Sequence, residues 1–165
     1  MWVIFPILSI TMTISKNTFT GEYSYTLDAK GRINIPSKFR QSLSKENENT
    51  FVTTRGMDKC IWIYPICVWQ KIENELKKLS AISAVNRSFT RNTARHTTIT
   101  PFDKQGRILL PPALIKYAEL EKDSIIIGMV NKIEIWNPKK LNQTDKENLK
   151  LDPDAFEDLA EKIIL

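Results

Sequence analysis

The sequence predicts an α+β chain built from two tandem copies of one small β-rich unit, each followed by helix. Three observations predict it. "DAKGRINIP", starting at Asp28, and "DKQGRILLP", starting at Asp103, repeat one pattern 75 positions apart: Asp, Gly-Arg three residues on, an apolar run, then Pro. Behind them lies a second matched pair, "FVTTRGMDKCIWIYP" and "SIIIGMVNKIEIWNP", in which Met57-Asp58-Lys59 falls against Val130-Asn131-Lys132 at an offset of 73. Apolar residues spaced by three and four then follow each half, the pattern of a helix with one buried face. One small deletion therefore separates two halves of common layout: strand, Gly turn, strand, Pro, short helix, strand, tight turn, strand, helix.

Taken in order, "EYSYTLD" puts Tyr23, Tyr25 and Leu27 on alternate positions, as a half-buried strand does. Asp28 opens the turn, where its carboxylate can accept backbone N–H bonds, and Gly31 supplies the positive φ that other residues resist. Arg32 enters the strand "INIP", and Pro36 closes it at the threshold of a helix, "SKFRQSL". Phe102, Asp103, Gly106, Arg107 and Pro111-Pro112 repeat this ahead of "ALIKYAEL". "GMDKC" and "MVNKI" place Asp or Asn where a hairpin reverses. After Pro65, Trp69, Ile72, Leu76 and Leu79 form one apolar stripe, expected to be core or subunit contact. From Asp154 on, Phe156, Leu159, Ile163 and Ile164 repeat the pattern in a tail that would cap a neighbouring unit or be loosely held. The units are set at 19–79 and 97–141, with an extension over 1–18, a connecting helical segment over 80–96 and a helical tail over 142–165.

Composition bounds the function. Hydrophobic residues at 42% and charged residues at 26% are a globular mixture, and the net charge of +5 favours anionic partners without identifying one. Cys60 and Cys67 sit among bulky apolar residues, and His96 is the single histidine, so the chain offers at most three soft metal ligands. Two reduced, buried thiols of a cytosolic protein are expected, with no metal site and no cofactor. The same shortage of histidine, with no "GxSxG", leaves a hydrolytic triad without a base. Residues 2–14, "WVIFPILSITMTI", are uncharged yet shorter than the roughly 20 residues of a membrane span, and they lack the basic start and cleavage site of a secretory signal. The run reads as an appendage: either translation begins at Met12, or the run adds a strand or an interface arm.

The chemistry concentrates in the twin turns. An arginine beside a rigid Gly turn offers a planar fork of donors that can take a phosphate or the O6/N7 edge of guanine. Lys30 and Lys104, inside the loops, add charge toward a duplex backbone. A second reading stands beside this one: Arg32 and Arg107 tie down Asp28 and Asp103 and serve only the fold. Between the halves, Arg87, Arg91 and Arg95 share one helical face, open to phosphate, to acidic residues of a neighbouring subunit, or to solvent. Catalysis by an Asp28–Asp103 carboxylate pair is disfavoured, because the adjacent Lys and Arg residues keep each carboxylate ionised and paired.

With its twin "DxxGR" turns, "GEYSYTLDAKGRINIPSKFR" and "DKQGRILLPPAL" in that order, and "IWIYP" and "IEIWNP" closing the halves, the chain resembles the bacterial MraZ proteins from residue 19 to about 140. The resemblance implies an AbrB-like swapped-hairpin β-barrel, its two halves packed about a pseudo-two-fold as two chains are in dimeric relatives. It also implies a sequence-specific regulator that binds double-stranded DNA at the division and cell-wall gene cluster, assembled as a homo-oligomeric ring, cytoplasmic and nucleoid-associated, and not an enzyme. Arg32, Arg107, Lys30 and Lys104 are then the expected DNA contacts, with Asp28, Gly31, Asp103 and Gly106 shaping the turns. The alternative in another class is a ring-forming scaffold that binds proteins through the "WQKIENELKKL" stripe without steep salt dependence on DNA.

Overall fold

The structure, a computed structural model, describes residues 15–163; the appendage at 2–14 and Ile164 lie outside them. The first repeat contributes β1 (Phe19–Thr26), β2 (Arg32–Asn34), α1 (Ser37–Ser42), β3 (Thr50–Arg55), β4 (Ile61–Pro65) and α2 (Ile66–Lys77). A connecting helix α3 (Ala84–Ala94) leads to β5 (Thr98–Pro101), β6 (Arg107–Leu109), α4 (Pro112–Tyr117), β7 (Asp123–Val130), β8 (Ile133–Trp136), α5 (Pro138–Asn148) and α6 (Pro153–Ile163). The element sequence of the two halves thus agrees with the expected layout, and the chain is a mixed α/β protein. Pro36 stands at the N-cap of α1 and Pro112 inside the first turn of α4, where a missing N–H costs nothing.

Six strands form one antiparallel sheet in the order β1-β7-β8-β4-β3-β5, and β2 pairs with β6 in a separate ribbon. The opening strand of each repeat pairs with the hairpin of the other: β1 runs against β7 and β5 against β3. Neither repeat closes its own hydrogen-bond ladder, so the two cannot separate without exposing unpaired backbone. One core serves both. Phe19, Ile33, Ile35, Phe39, Phe51, Ile61 and Ile63 of the first repeat interlock with Ile108, Leu110, Leu114, Ile126, Ile133 and Ile135 of the second. Each such side chain contributes roughly 1.5–3 kcal/mol by leaving water. Phe39 meets Phe19 and Tyr23 edge-on at 5.4 and 5.3 Å, which fixes α1 against β1.

The register corrects the sequence alignment of the halves. In the sheet β4 and β8 pair with Ile61 opposite Ile135, Trp62 opposite Glu134 and Ile63 opposite Ile133. Side chains alternate across a strand, and the four isoleucines all face the shared core, so Ile61 corresponds to Ile133 at an offset of 72. The offset of 73 read at Met57-Asp58-Lys59 does not persist beyond the turn: five residues lie between the paired Arg55 and Ile61, against four between the paired Gly128 and Ile133.

On the other face of the sheet, α2 covers Val52 and Tyr64 with Trp69, and with Trp62, Ile66, Val68 and Ile72 around them. The apolar stripe of α2 is therefore spent largely on its own sheet. It is also shorter than expected, since the helix ends at Lys77 and Leu79 lies exposed beyond it. Both cysteines are free thiols, but Cys67 is only partly buried, contrary to the expectation of two buried ones. No helix of the described residues is long and apolar enough to cross a membrane.

Candidate nucleic-acid interface

Each "DxxGR" stretch folds into the same hydrogen-bonded corner. In the first, Asp28 Oδ1 accepts the backbone N–H groups of Lys30 and Arg32, both at 2.9 Å. Its Oδ2 accepts Arg32 Nε at 2.7 Å. The backbone closes underneath, with Gly31 N–H donating to Asp28 O and Asp28 N–H to Arg32 O. Gly31 sits at φ 79°, in the left-handed region. In the second corner Asp103 Oδ1 accepts from Gln105 and Arg107 N–H at 2.9 and 3.0 Å, while Oδ2 accepts Arg107 Nε at 2.9 Å and Nη2 at 2.8 Å. Gly106 repeats the conformation at φ 78°.

The backbone N–H of the paired arginine is the leading cause that holds each carboxyl below the usual aspartate range. In both corners the guanidinium bond adds to it. At neutral pH each corner is a charged pair, locked but not sealed, for the side chains of Arg32 and Arg107 keep 31% and 25% of their surface exposed. Carboxylate engagement runs through Nε in one corner and through Nε and Nη2 in the other, which leaves Nη1 of both arginines outside the ion pair.

The ribbon brings the corners together. Ile33 pairs with Ile108, Arg32 with Leu109 and Asn34 with Arg107. Beyond the paired residues, Ile35 N–H donates to Gly106 O and Leu110 N–H to Gly31 O, both at 2.9 Å. The ladder is thus symmetric about the two isoleucines. Ile33 and Ile108 point into the core, so the strand alternation turns Arg32, Asn34, Arg107 and Leu109 out on the opposite face. Two arginines from distant stretches of sequence end on one outward surface, each beside its own glycine corner.

The other expected residues are placed less symmetrically. Lys30 and Lys104 are both exposed in the turns, but Lys30 is the counterpart of Gln105 and Lys104 that of Ala29. Arg87 donates Nη1 to Ala81 O and Ile82 O at 2.8 and 2.7 Å and so braces the turn before α3. Arg91 and Arg95 are exposed, with Arg95 at the C-cap of α3. Two residues of the surface were not singled out by sequence reasoning. Asn34 shares the outward face, as the alternation in "RIN" allows. Arg40 reaches from α1 of the first repeat over Gly106 of the second, donating Nε to Ile35 O at 3.1 Å. Among the described residues no group of three metal-ligating side chains occurs.

A family profile described as "MraZ protein, putative antitoxin-like" matches residues 18–92 and again 94–162, once on each repeat. The chain is 40% identical to the Transcriptional regulator MraZ of Pediococcus pentosaceus over 146 residues, 88% of this chain and 96% of that protein. It is 46% identical to the protein of the same name from Halothermothrix orenii over 122 residues, 74% and 82% of the two chains. The corresponding protein of Natranaerobius thermophilus is 38% identical over 146 residues, 88% and 96%. Two profile matches over the two structural repeats, with relatives this similar along most of the length, establish that the chain belongs to the MraZ family.

Proposed function

We propose that the protein is a sequence-specific DNA-binding transcriptional regulator that acts as a ring-shaped homo-oligomer on repeated promoter elements of the division and cell-wall gene cluster. The observation that carries this reading is the shared outward face of Arg32 and Arg107 on the β2–β6 ribbon. The names of the relatives support the regulatory role. The exchange of β1 and β5 between the repeats supports the swapped-hairpin barrel as the architecture that builds such a face.

In this reading Asp28 and Asp103 are positioning residues. Each grips its arginine from the Nε side and presents the remaining guanidinium donors to a phosphate or a guanine edge, with less freedom to lose on binding than a loose side chain has. Lys30 and Lys104 meet the backbone as point charges. Two arginines make a small footprint. A ring multiplies it, because once one subunit is seated its neighbours bind at high local concentration wherever the DNA repeats match their spacing. The scaffold alternative has less to work with, since Trp69 of its stripe is buried against the sheet. No enzymatic role is proposed.

The test is a mobility-shift titration of the protein and its Arg32→Ala variant with the duplex upstream of its own gene, at two salt concentrations. A shift that weakens with salt and with the substitution is expected. Equal binding by the variant would remove Arg32 from the reading face. Light scattering of the free protein gives the number of subunits.

A further inference from the structure

We infer that the two ends of the outward face of the β2–β6 ribbon read different bases: Asn34, beside Arg107, selects adenine, and Leu109, beside Arg32, selects the methyl group of thymine. The inference deepens the regulator reading above and rests on it. The repeats match at their arginines and part company two residues later, where "GRIN" ends on Asn34 and "GRIL" on Leu109, 75 positions on. Both side chains leave the core. Strand alternation buries Ile33 and Ile108 and turns Asn34 and Leu109 outward, Leu109 with 57% of its surface exposed.

The ladder sets each of these residues beside the other repeat's arginine. Ile35 donates to Gly106 and Leu110 to Gly31, so the alternation of an antiparallel ladder makes Asn34–Arg107 and Leu109–Arg32 the non-hydrogen-bonded pairs, whose side chains stand closest. Cβ atoms of directly opposed residues lie about 4.5–5.5 Å apart, and successive bases of a strand about 3.4 Å. An arginine and its neighbour therefore reach the same or adjacent base pairs. A two-stranded ribbon is also an element that the major groove admits.

The chemistry of the two ends differs. Asn34 is exposed, and its amide forms no hydrogen bond among the described residues. Asparagine is depleted in strands, so this one adds little to the ladder, yet its Oδ1 and Nδ2 form the acceptor and donor that match N6 and N7 of adenine. The Arg40 guanidinium lies against Gly106 at the same end and keeps it polar and cationic. At the other end the counterpart of Arg40 is Ile115, whose tip and that of Leu109 flank Gly31. An apolar cleft lined by Ile99, Leu109, Pro112 and Ile115 opens beside them. Leu109 has no donor or acceptor to offer, and the thymine methyl is the apolar group of the major-groove edge. The arginines themselves are equivalent, each held by its own aspartate, so the element read has two like guanine contacts with unlike neighbours.

The experiment selects bound duplexes from a randomised library with the full chain and with its Asn34→Leu and Leu109→Asn variants, and sequences them. Both changes fall on exposed positions, so circular dichroism should match wild type. Wild type is expected to enrich an element with adenine beside one guanine contact and thymine beside the other. Asn34→Leu should cut the preference for adenine at its one position roughly 5- to 150-fold and leave both guanines in place. Leu109→Asn should exchange thymine for adenine at the other. An unchanged base preference in either variant, or an equal loss of affinity for every duplex, would overturn the inference and leave the regulator reading intact. Enrichment of no element by wild type would overturn both.

Discussion

Arg40, on α1 of the first repeat, lies directly over Gly106, the hinge of the second repeat's corner. A Cβ at position 106 would run into the guanidinium, and the φ of 78° is itself unfavourable for any other L-residue. The counterpart, Gly31 at φ 79°, is faced by the tip of Ile115 instead. Both Gly→Ala changes should therefore cost about 1–2 kcal/mol from the backbone alone. Gly106→Ala should cost more than Gly31→Ala, and Arg40→Ala should remove that excess. Urea denaturation of the four variants checks the order; equal midpoints for Gly31→Ala and Gly106→Ala would mean that Arg40 swings away freely.

The symmetric ladder around Ile33 and Ile108 makes a second expectation quantitative. Arg32→Ala and Arg107→Ala should weaken duplex binding by similar factors, roughly 5- to 150-fold if each loses one bidentate contact of about 1–3 kcal/mol. Arg32→Lys keeps the charge without the fork, so it should fall between wild type and Ala and keep the salt slope that Ala reduces by about one. Fluorescence anisotropy over a salt series reads all of these. A loss restricted to one arginine would show that the two repeats do not read equivalent sites.

The corners also set a pH window. Asp28 and Asp103 are held below their ordinary value of 3.8, first by backbone N–H bonds from the paired arginines. A group with a depressed folded pKa contributes its stability above the unfolded value and loses it as pH falls through the folded one. Their contribution to the urea midpoint should thus be full and constant between pH 5 and 8, and the midpoint should begin to fall below about pH 4. The Asp28→Asn/Asp103→Asn double variant should show a shallower acid decline at the price of a lower midpoint at pH 7. Parallel acid profiles for the two proteins would show that the fall comes from other carboxylates.

The corners were legible in the sequence because their chemistry is local: an Asp that accepts from residues two and four ahead, and a glycine that alone tolerates the turn. The helices were legible in kind but not in extent, for the spacing that carries Trp69 to Leu76 also fits Leu79, which the helix does not reach. Strand partnership was hidden from the residues themselves. Alternation says that Tyr23 and Tyr25 share a half-buried face, yet the same pattern serves whether β1 pairs within its own repeat or across to β7. The offset of 72 was hidden for a related reason: only the facing of Ile61, Ile63, Ile133 and Ile135 toward one core reveals which residues correspond.

Glu134 was equally hidden, since a lone acid between isoleucines in "IEIW" reads as the wet face of a strand. It is buried instead, opposite Trp62 on the β4–β8 seam between the repeats. Its two carboxylate oxygens accept the indole N–H groups of Trp62 and Trp136, both at 2.8 Å, while Lys132 stands 4.7 Å from the centre of the Trp62 ring. Glu134→Leu leaves two indole donors without an acceptor and should cost about 2–4 kcal/mol. Glu134→Gln keeps one carbonyl oxygen but turns an amide donor toward the other indole, so its cost should lie between wild type and Leu. Because the seam lies on the sheet face away from the ribbon, both variants should bind duplex DNA as wild type does at temperatures where they remain folded. Urea unfolding paired with anisotropy at low temperature checks this; a fall in affinity matching the fall in stability would show that the seam transmits strain to the arginine face.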